Sequence, residues 1–152
     1  MKIDLTDKKV IITGGSTGIG KEVVKLFAEN KSKIALFDVN DSEGSNLSNE
    51  LNKKGSEIRY WHLDVRDSNQ VSGGVLAANQ WLGGVDILIN LAGILQGASL
   101  DIEKFPDDIW ESVIGINLTG SYLMVKHVSE IMIKQKKGVI ILTSSGAGVL
   151  GS

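Results

Sequence analysis

Cysteine is absent from the 152 residues, proline occurs once and histidine twice. With no thiol there is no disulfide framework and no thiolate chemistry. His62 and His127 lie far apart without ligand-spaced partners, so no metal site is expected. No apolar run approaches the roughly 20 residues that cross a bilayer. Asp4, Asp7, Lys8 and Lys9 interrupt any apolar core of an export signal, and the cytoplasm is the expected location. A surplus of either charge is missing too. The 16 basic and 18 acidic residues leave a net −2, which offers no partner surface to nucleic acid or an anionic membrane. The densest basic stretch, Lys134, Lys136 and Lys137, reads as the cationic end of a helix.

What is abundant is glycine, with 18 residues gathered at the ends of apolar runs, where turns and close backbone approaches lie. The length suits a single domain over residues 1–152. Short apolar runs alternate with longer amphipathic ones, the pattern of a βαβ chain. Val10-Ile11-Ile12, Ile34 to Phe37, Ile58 to Val65, Asp86 to Asn90 and Val139 to Leu142 read as five strands. Helical spacing joins Ile19, Val23, Leu26 and Phe27 from Gly18 to about Asn30. Asn40 with Glu43, and Asp67 with Gln70, resemble helix-opening caps. The second of these helices carries Gly73-Gly74, each costing about 1 kcal/mol in a helix interior. Pro106 fits the first turn of a long helix running past Met132, and Asp107 and Asp108 complement its positive end. Continuous apolar strands with intervening helices imply a parallel, doubly wound α/β sheet, with a crevice at the carboxyl ends of its strands.

Thr13-Gly14-Gly15-Ser16-Thr17-Gly18-Ile19-Gly20 joins the first strand to the first helix. Gly14 permits a sharp turn, Gly18 a close approach to a pyrophosphate, and Gly20 tight packing of helix on sheet. The helix N-terminus presents free N–H groups and a partial positive charge to phosphates, with Ser16 and Ile19 in the same loop. Asp38 closes the second strand, where a carboxylate accepts both ribose hydroxyls of an adenosine and repels a 2′-phosphate. Ser16, Thr17 and Val39 supply no base to welcome that phosphate, so NAD is favoured over NADP.

These residues resemble the short-chain dehydrogenase/reductase family, whose Thr-Gly-x-x-x-Gly-x-Gly motif matches Thr13 to Gly20 at every fixed position. The resemblance continues in Asp64-Val65, which in the family brackets the adenine, and in Asn90-Leu91-Ala92-Gly93, where Leu91 replaces a second Asn. Asn117-Leu118-x-Gly120 matches the family's helix-bending Asn, and Thr143-Ser144-Ser145-x-x-Gly148 its strand-five motif, with Ser145 at the catalytic serine. The resemblance implies a Rossmann-like sheet of order 3-2-1-4-5. It implies cofactor contacts from Gly14, Ser16, Gly18, Ile19, Gly20, Asp38, Asp64, Val65, Asn90, Ala92 and Gly93, and catalytic roles for Ser145 and Asn117. It also implies hydride transfer on a small alcohol or ketone, in a homodimer or homotetramer.

The family's general acid/base is a Tyr-x-x-x-Lys about a dozen residues after the serine, and seven residues follow Ser145 here. Tyr122 to Lys126 has that spacing but precedes the serine, and Tyr122 reads as a packing or interface residue. The expectation is an incomplete enzyme lacking its C-terminal strands and helices, inactive as it stands. The alternative is a non-catalytic dinucleotide-binding module or a decayed remnant. Trp61, Trp81 and Trp110 read as separate packing or surface residues on three elements, and His62 as a packed or rim residue within the third strand.

Overall fold

Apolar side chains on successive residues bury both faces of a strand, and here they build a sheet covered on each side. The computed structural model describes residues 4–146. The strands are β1 (Lys9–Thr13), β2 (Lys33–Asp38), β3 (Glu57–His62), β4 (Ile87–Asn90) and β5 (Val139–Leu142). They pair in parallel in the order β3-β2-β1-β4-β5. This is the doubly wound order that the sequence implies.

Alternate residues of the central strands face opposite layers. Val10 and Ile12 of β1, with Ile34 and Leu36 of β2, pack under α1 (Gly18–Glu29) and α2 (Asp41–Lys53) against Val24, Phe27, Leu47 and Leu51. Ile11, Ala35, Phe37 and Leu88 pack on the other face against α3 (Ser68–Leu82) and α5 (Ser121–Gln135) through Val71, Val75, Met124 and Val128. Each of these Val, Ile, Leu, Phe and Met side chains taken from water contributes about 1.5–3 kcal/mol.

Three sequence expectations need correction. β3 stops at His62 rather than Val65. The Leu63 N–H still donates to the Asp38 carbonyl at 3.0 Å, and Leu63 and Val65 are buried by packing, Leu63 beneath Gly74 of α3 and Val65 against Gly120. The long helix after Pro106 runs unbroken to Gln135 but is not α-helical throughout. It comprises α4 (Asp107–Ile114), a π-helical segment Gly115–Gly120, and α5, with Pro106 one position outside the first turn. Trp61 and Trp81 are also not separate, because their rings meet edge-on at 5.7 Å, and Trp61 meets Phe37 at 5.9 Å.

The Gly73-Gly74 pair leaves α3 intact. A Cβ at Gly73 would meet open space, whereas one at Gly74 would strike the Leu63 side chain. Lys137, in the basic stretch after α5, pairs with Asp86 at 2.8 Å. The outer strand β5 carries half-exposed Val139, Ile141 and Leu142. Among the described residues no helix is long and apolar enough to cross a membrane, and no cluster of potential ligands could hold a metal ion.

Candidate functional site

All five strands run in the same direction, so the loops that follow β1 to β5 meet along one edge of the sheet. The β1–α1 loop is shaped by glycine. Gly14 sits at φ +66°, its N–H donates to the Phe37 carbonyl at 2.9 Å, and a Cβ there would lie 2.7 Å from the Ala92 nitrogen. A Cβ on Gly20 would collide with the Gly14 carbonyl oxygen, so helix and loop touch backbone to backbone. Gly18, at φ +51°, faces open space. α1 begins after an extended Thr17 that makes no side-chain cap, and its first turn holds no acid. The positive end of this helix is therefore left to solvent or a ligand. Ser16 is fully buried, and its hydroxyl has no hydrogen-bond partner among the described residues.

Asp38 faces this loop from the end of β2. One of its carboxylate oxygens accepts the Ser16 N–H and the other the Asn40 N–H, both at 3.0 Å. Its carbonyl lies 2.9 Å from the Tyr60 hydroxyl, which also lies 2.7 Å from Asp41 Oδ1. His62 Nδ1 reaches the same Asp41 oxygen at 2.9 Å. Hydrogen bonds from Tyr60 and His62 hold the Asp41 carboxyl below its usual range. Burial, then the bond to Asp41, pushes the Tyr60 phenol up. Sequence reading left Tyr60 and Asp41 unremarked and placed His62 inside a strand. The signal was the parallel pairing of β2 with β3, which sets His62 opposite Asp38.

Asp64 lies just beyond β3. Arg66 Nε is 3.1 and 3.0 Å from its two oxygens, Arg66 Nη2 is 2.6 Å from Oδ2, and the Arg66 backbone N–H donates to Oδ1 at 2.9 Å. The guanidinium bond is the main cause that keeps the Asp64 carboxyl below the usual carboxylate range. Neighbouring Val65 is pressed against Gly120, where a Cβ would come within 2.9 Å of the valine Cβ.

A third cluster ties β4 and the π segment to β1. Buried Asn90 accepts from the Thr13 hydroxyl at 3.0 Å and donates to Ser121 Oγ at 2.9 Å. Thr13 Oγ1 in turn accepts the N–H groups of Leu91 and Ala92, at 3.2 and 3.1 Å. Asn90 is thus spent on protein partners, and any effect on a ligand passes through the loops that it fastens. Asn117 sits in the π segment, an insertion that is frequent at functional sites. Its side chain clamps Ile94 by both backbone groups, each at 2.9 Å. Ser145 is exposed beyond β5, close in sequence to Thr143, whose hydroxyl donates to the Asn90 carbonyl at 2.9 Å. Gly148 of the same motif lies outside the described residues.

One cleft of about 260 Å³ brings together Gly14, Asp38, Asp64, Val65, Ala92 and Gly93. Gly18 and Ile19 line a separate shallow hollow on α1, and Ser16, Gly20, Asn90, Asn117 and Ser145 line neither. Tyr122 and Lys126 are exposed on α5 and also lie outside the cleft.

The family model described as short chain dehydrogenase matches residues 8–152. The chain belongs to the short-chain dehydrogenase/reductase family. It is 40% identical over 151 residues to (+)-borneol dehydrogenase 1 of Salvia officinalis, covering 97% of this chain and 57% of that protein. It is 37% identical over 152 residues to a 3-oxoacyl-(acyl-carrier-protein) reductase of Chlamydia pneumoniae, covering 100% of this chain and 60% of that protein. The solved structure of an NAD+-bound xylitol dehydrogenase superposes with a TM-score of 0.92 at 34% identity, covering 99% of this chain and 57% of that one. The chain spans about half the length of the curated relatives it matches.

Proposed function

We propose that this chain serves NAD-dependent hydride transfer between a small alcohol and its ketone. The observation that carries the reading is Asp38. Its carboxylate is fixed by two backbone N–H groups, in the cleft that also holds Gly14 and Thr17 and beside the uncapped start of α1. An anchored negative charge there suits ribose hydroxyls and opposes a 2′-phosphate. The residues fit the dinucleotide, because the open helix end suits its diphosphate and Ser16 keeps a buried hydroxyl without a partner among the described residues.

Gly14, Gly18, Ile19 and Gly20 would hold the diphosphate through backbone groups, while Asp64 and Val65 flank the base. Ala92 and Gly93 form the opposite wall, and Asn90 acts through Thr13. Ser145 would hydrogen-bond the substrate oxygen, and Asn117 would position the loop at Ile94. When bound, the nicotinamide supplies or takes up the hydride.

No Tyr-x-x-x-Lys follows Ser145 within the 152 residues. Missing a general acid/base costs about a hundred- to ten-thousand-fold in rate. The 152-residue polypeptide alone would then bind NAD without measurable turnover. A homodimer or homotetramer in the cytoplasm completes the reading, supported by family membership and by exposed Trp110, Leu118 and Tyr122 along α4 to α5.

Thermal-shift titration with NAD and NADP tests the central claim. At a hundredfold excess over Kd, NAD should stabilise the fold by about 2.7 kcal/mol. NADP should do far less, and Asp38→Ser should narrow or reverse the gap. Equal binding of both cofactors, or of neither, would refute the reading.

A further inference from the structure

Arg66 carries no part of the family motifs quoted above, yet it lines the candidate cleft and, among the described residues, commits its fork to Asp64. Its guanidinium meets both oxygens of Asp64, with the shortest contact at 2.6 Å. Fork-on-carboxylate pairing fixes the plane of the acceptor as well as its charge, which a point cation cannot do.

The arginine stem is seated too. A Cβ on Gly115, the first residue of the π segment, would lie 3.3 Å from Arg66 Cδ and 3.5 Å from Cγ. A glycine there leaves room for the aliphatic chain to lie against the helix. The loop around Asp64 is braced from its other side, because the Asp64 N–H donates to Gln70 Oε1 at 3.0 Å and Gln70 Nε2 donates to Asp67 at 3.0 Å. The Asp64 side chain is 23% exposed and Arg66 48%, so the acid is sheltered and the base partly covers it.

We propose that Arg66 is a positioning residue for the cofactor, holding the Asp64 carboxylate in one orientation at the adenine end of the cleft. The proposal rests on the reading of that cleft as an NAD site and adds to it a residue that acts only through Asp64. A free aspartate on a loop would have to be ordered when the base arrives. The clamp does that ordering in advance, which lowers the cost of binding.

The test is a double-mutant cycle read by calorimetric titration of NAD and of ADP-ribose, which lacks the nicotinamide. Arg66→Leu should weaken both ligands about tenfold, the scale of a charge-assisted hydrogen bond. Asp64→Asn should weaken them comparably. In the Asp64→Asn background, Arg66→Leu should add less than about twofold, because the residue through which it acts is already gone. Arg66→Lys should recover part of the loss, by restoring charge without the fork.

Unchanged affinity in Arg66→Leu, or losses that add in full, would overturn the role of Arg66 while leaving the cleft assignment standing. If the unsubstituted chain binds neither ligand, the cleft assignment fails and takes the proposal with it. Arg66 is half exposed, and melting curves of each variant will separate lost binding from lost folding.

Discussion

Three helices begin at the same edge of the sheet, and their first turns are finished in two different ways. α2 is closed by Asn40, whose side chain accepts the Glu43 N–H at 3.1 Å, and Asp41 and Glu43 add negative charge. α3 is closed by Asp67, which accepts the Asn69 and Gln70 N–H groups at 2.8 and 3.1 Å. α1 has neither device, since Thr17 makes no side-chain cap and no acid stands in its first turn. The two closed termini spend their N–H groups on the protein. The open one keeps its positive end beside Gly14 and within reach of the loop that Asp38 anchors. Two neighbouring helices capped, and a third left uncapped among glycines, support the proposed diphosphate site at the third.

The contrast breaks most severely at Gly14. Gly14→Ala must hold a side chain at positive φ and drive its Cβ into the Ala92 backbone. The expected cost is about 2–4 kcal/mol of stability, with loss of detectable NAD binding by titration. A variant that melts and binds like the parent would show that the loop shape is incidental. Thr17→Asp probes the contrast more finely by giving α1 what its neighbours have. A cap and a negative charge should stabilise the helix by about 0.5–1 kcal/mol. The same charge should weaken NAD at least about tenfold by repelling its diphosphate. Improved melting together with unchanged affinity would remove α1 from the binding site.

Much of this was legible because local chemistry decides it. Continuous apolar runs marked β1 and β2, the Asn40 and Asp67 caps sit where their spacing puts them, and the glycine loop follows β1. The third strand was read too long because Leu63 and Val65 look like strand residues. Their burial comes from the glycines above them, Gly74 and Gly120, which lie on other elements. Apolar residues also continue through Ile114, Ile116 and Leu118, so nothing in their chemistry marks where the hydrogen-bond pattern changes to the π segment. Only the resemblance of Asn117 to the family pattern implied a bend there. Trp61 with Trp81, Tyr60 with Asp41, and Arg66 with Asp64 were invisible for a different reason. Two of these pairs are made by strand pairing and helix packing, and the third by a loop whose course the sequence does not spell out.

The closed termini offer the smaller tests. Asn40→Ala removes the α2 cap and should cost about 1 kcal/mol. NAD affinity should change little, because the Asn40 backbone N–H that holds Asp38 remains. A large loss of binding would mean that the cap itself shapes the cofactor site.

Asp67→Asn is gentler still, because asparagine also caps well, and its effect lies in pH. Hydrogen bonds from the Gln70 and Asn69 N–H groups hold the Asp67 carboxyl below its ordinary value. A carboxyl depressed in the folded state stabilises the protein above its unfolded value, near 3.9, and loses that contribution as pH falls through the folded value. At neutral pH the parent should therefore melt slightly above Asp67→Asn. As pH drops below about 4, the parent should lose stability faster than the variant and the gap should close. Thermal melts of both proteins from pH 7 down to pH 3 decide it. A gap that stays constant across that range would mean that the Asp67 charge contributes nothing at the head of α3, whose contrast with the open α1 would then rest on the cap hydrogen bonds alone.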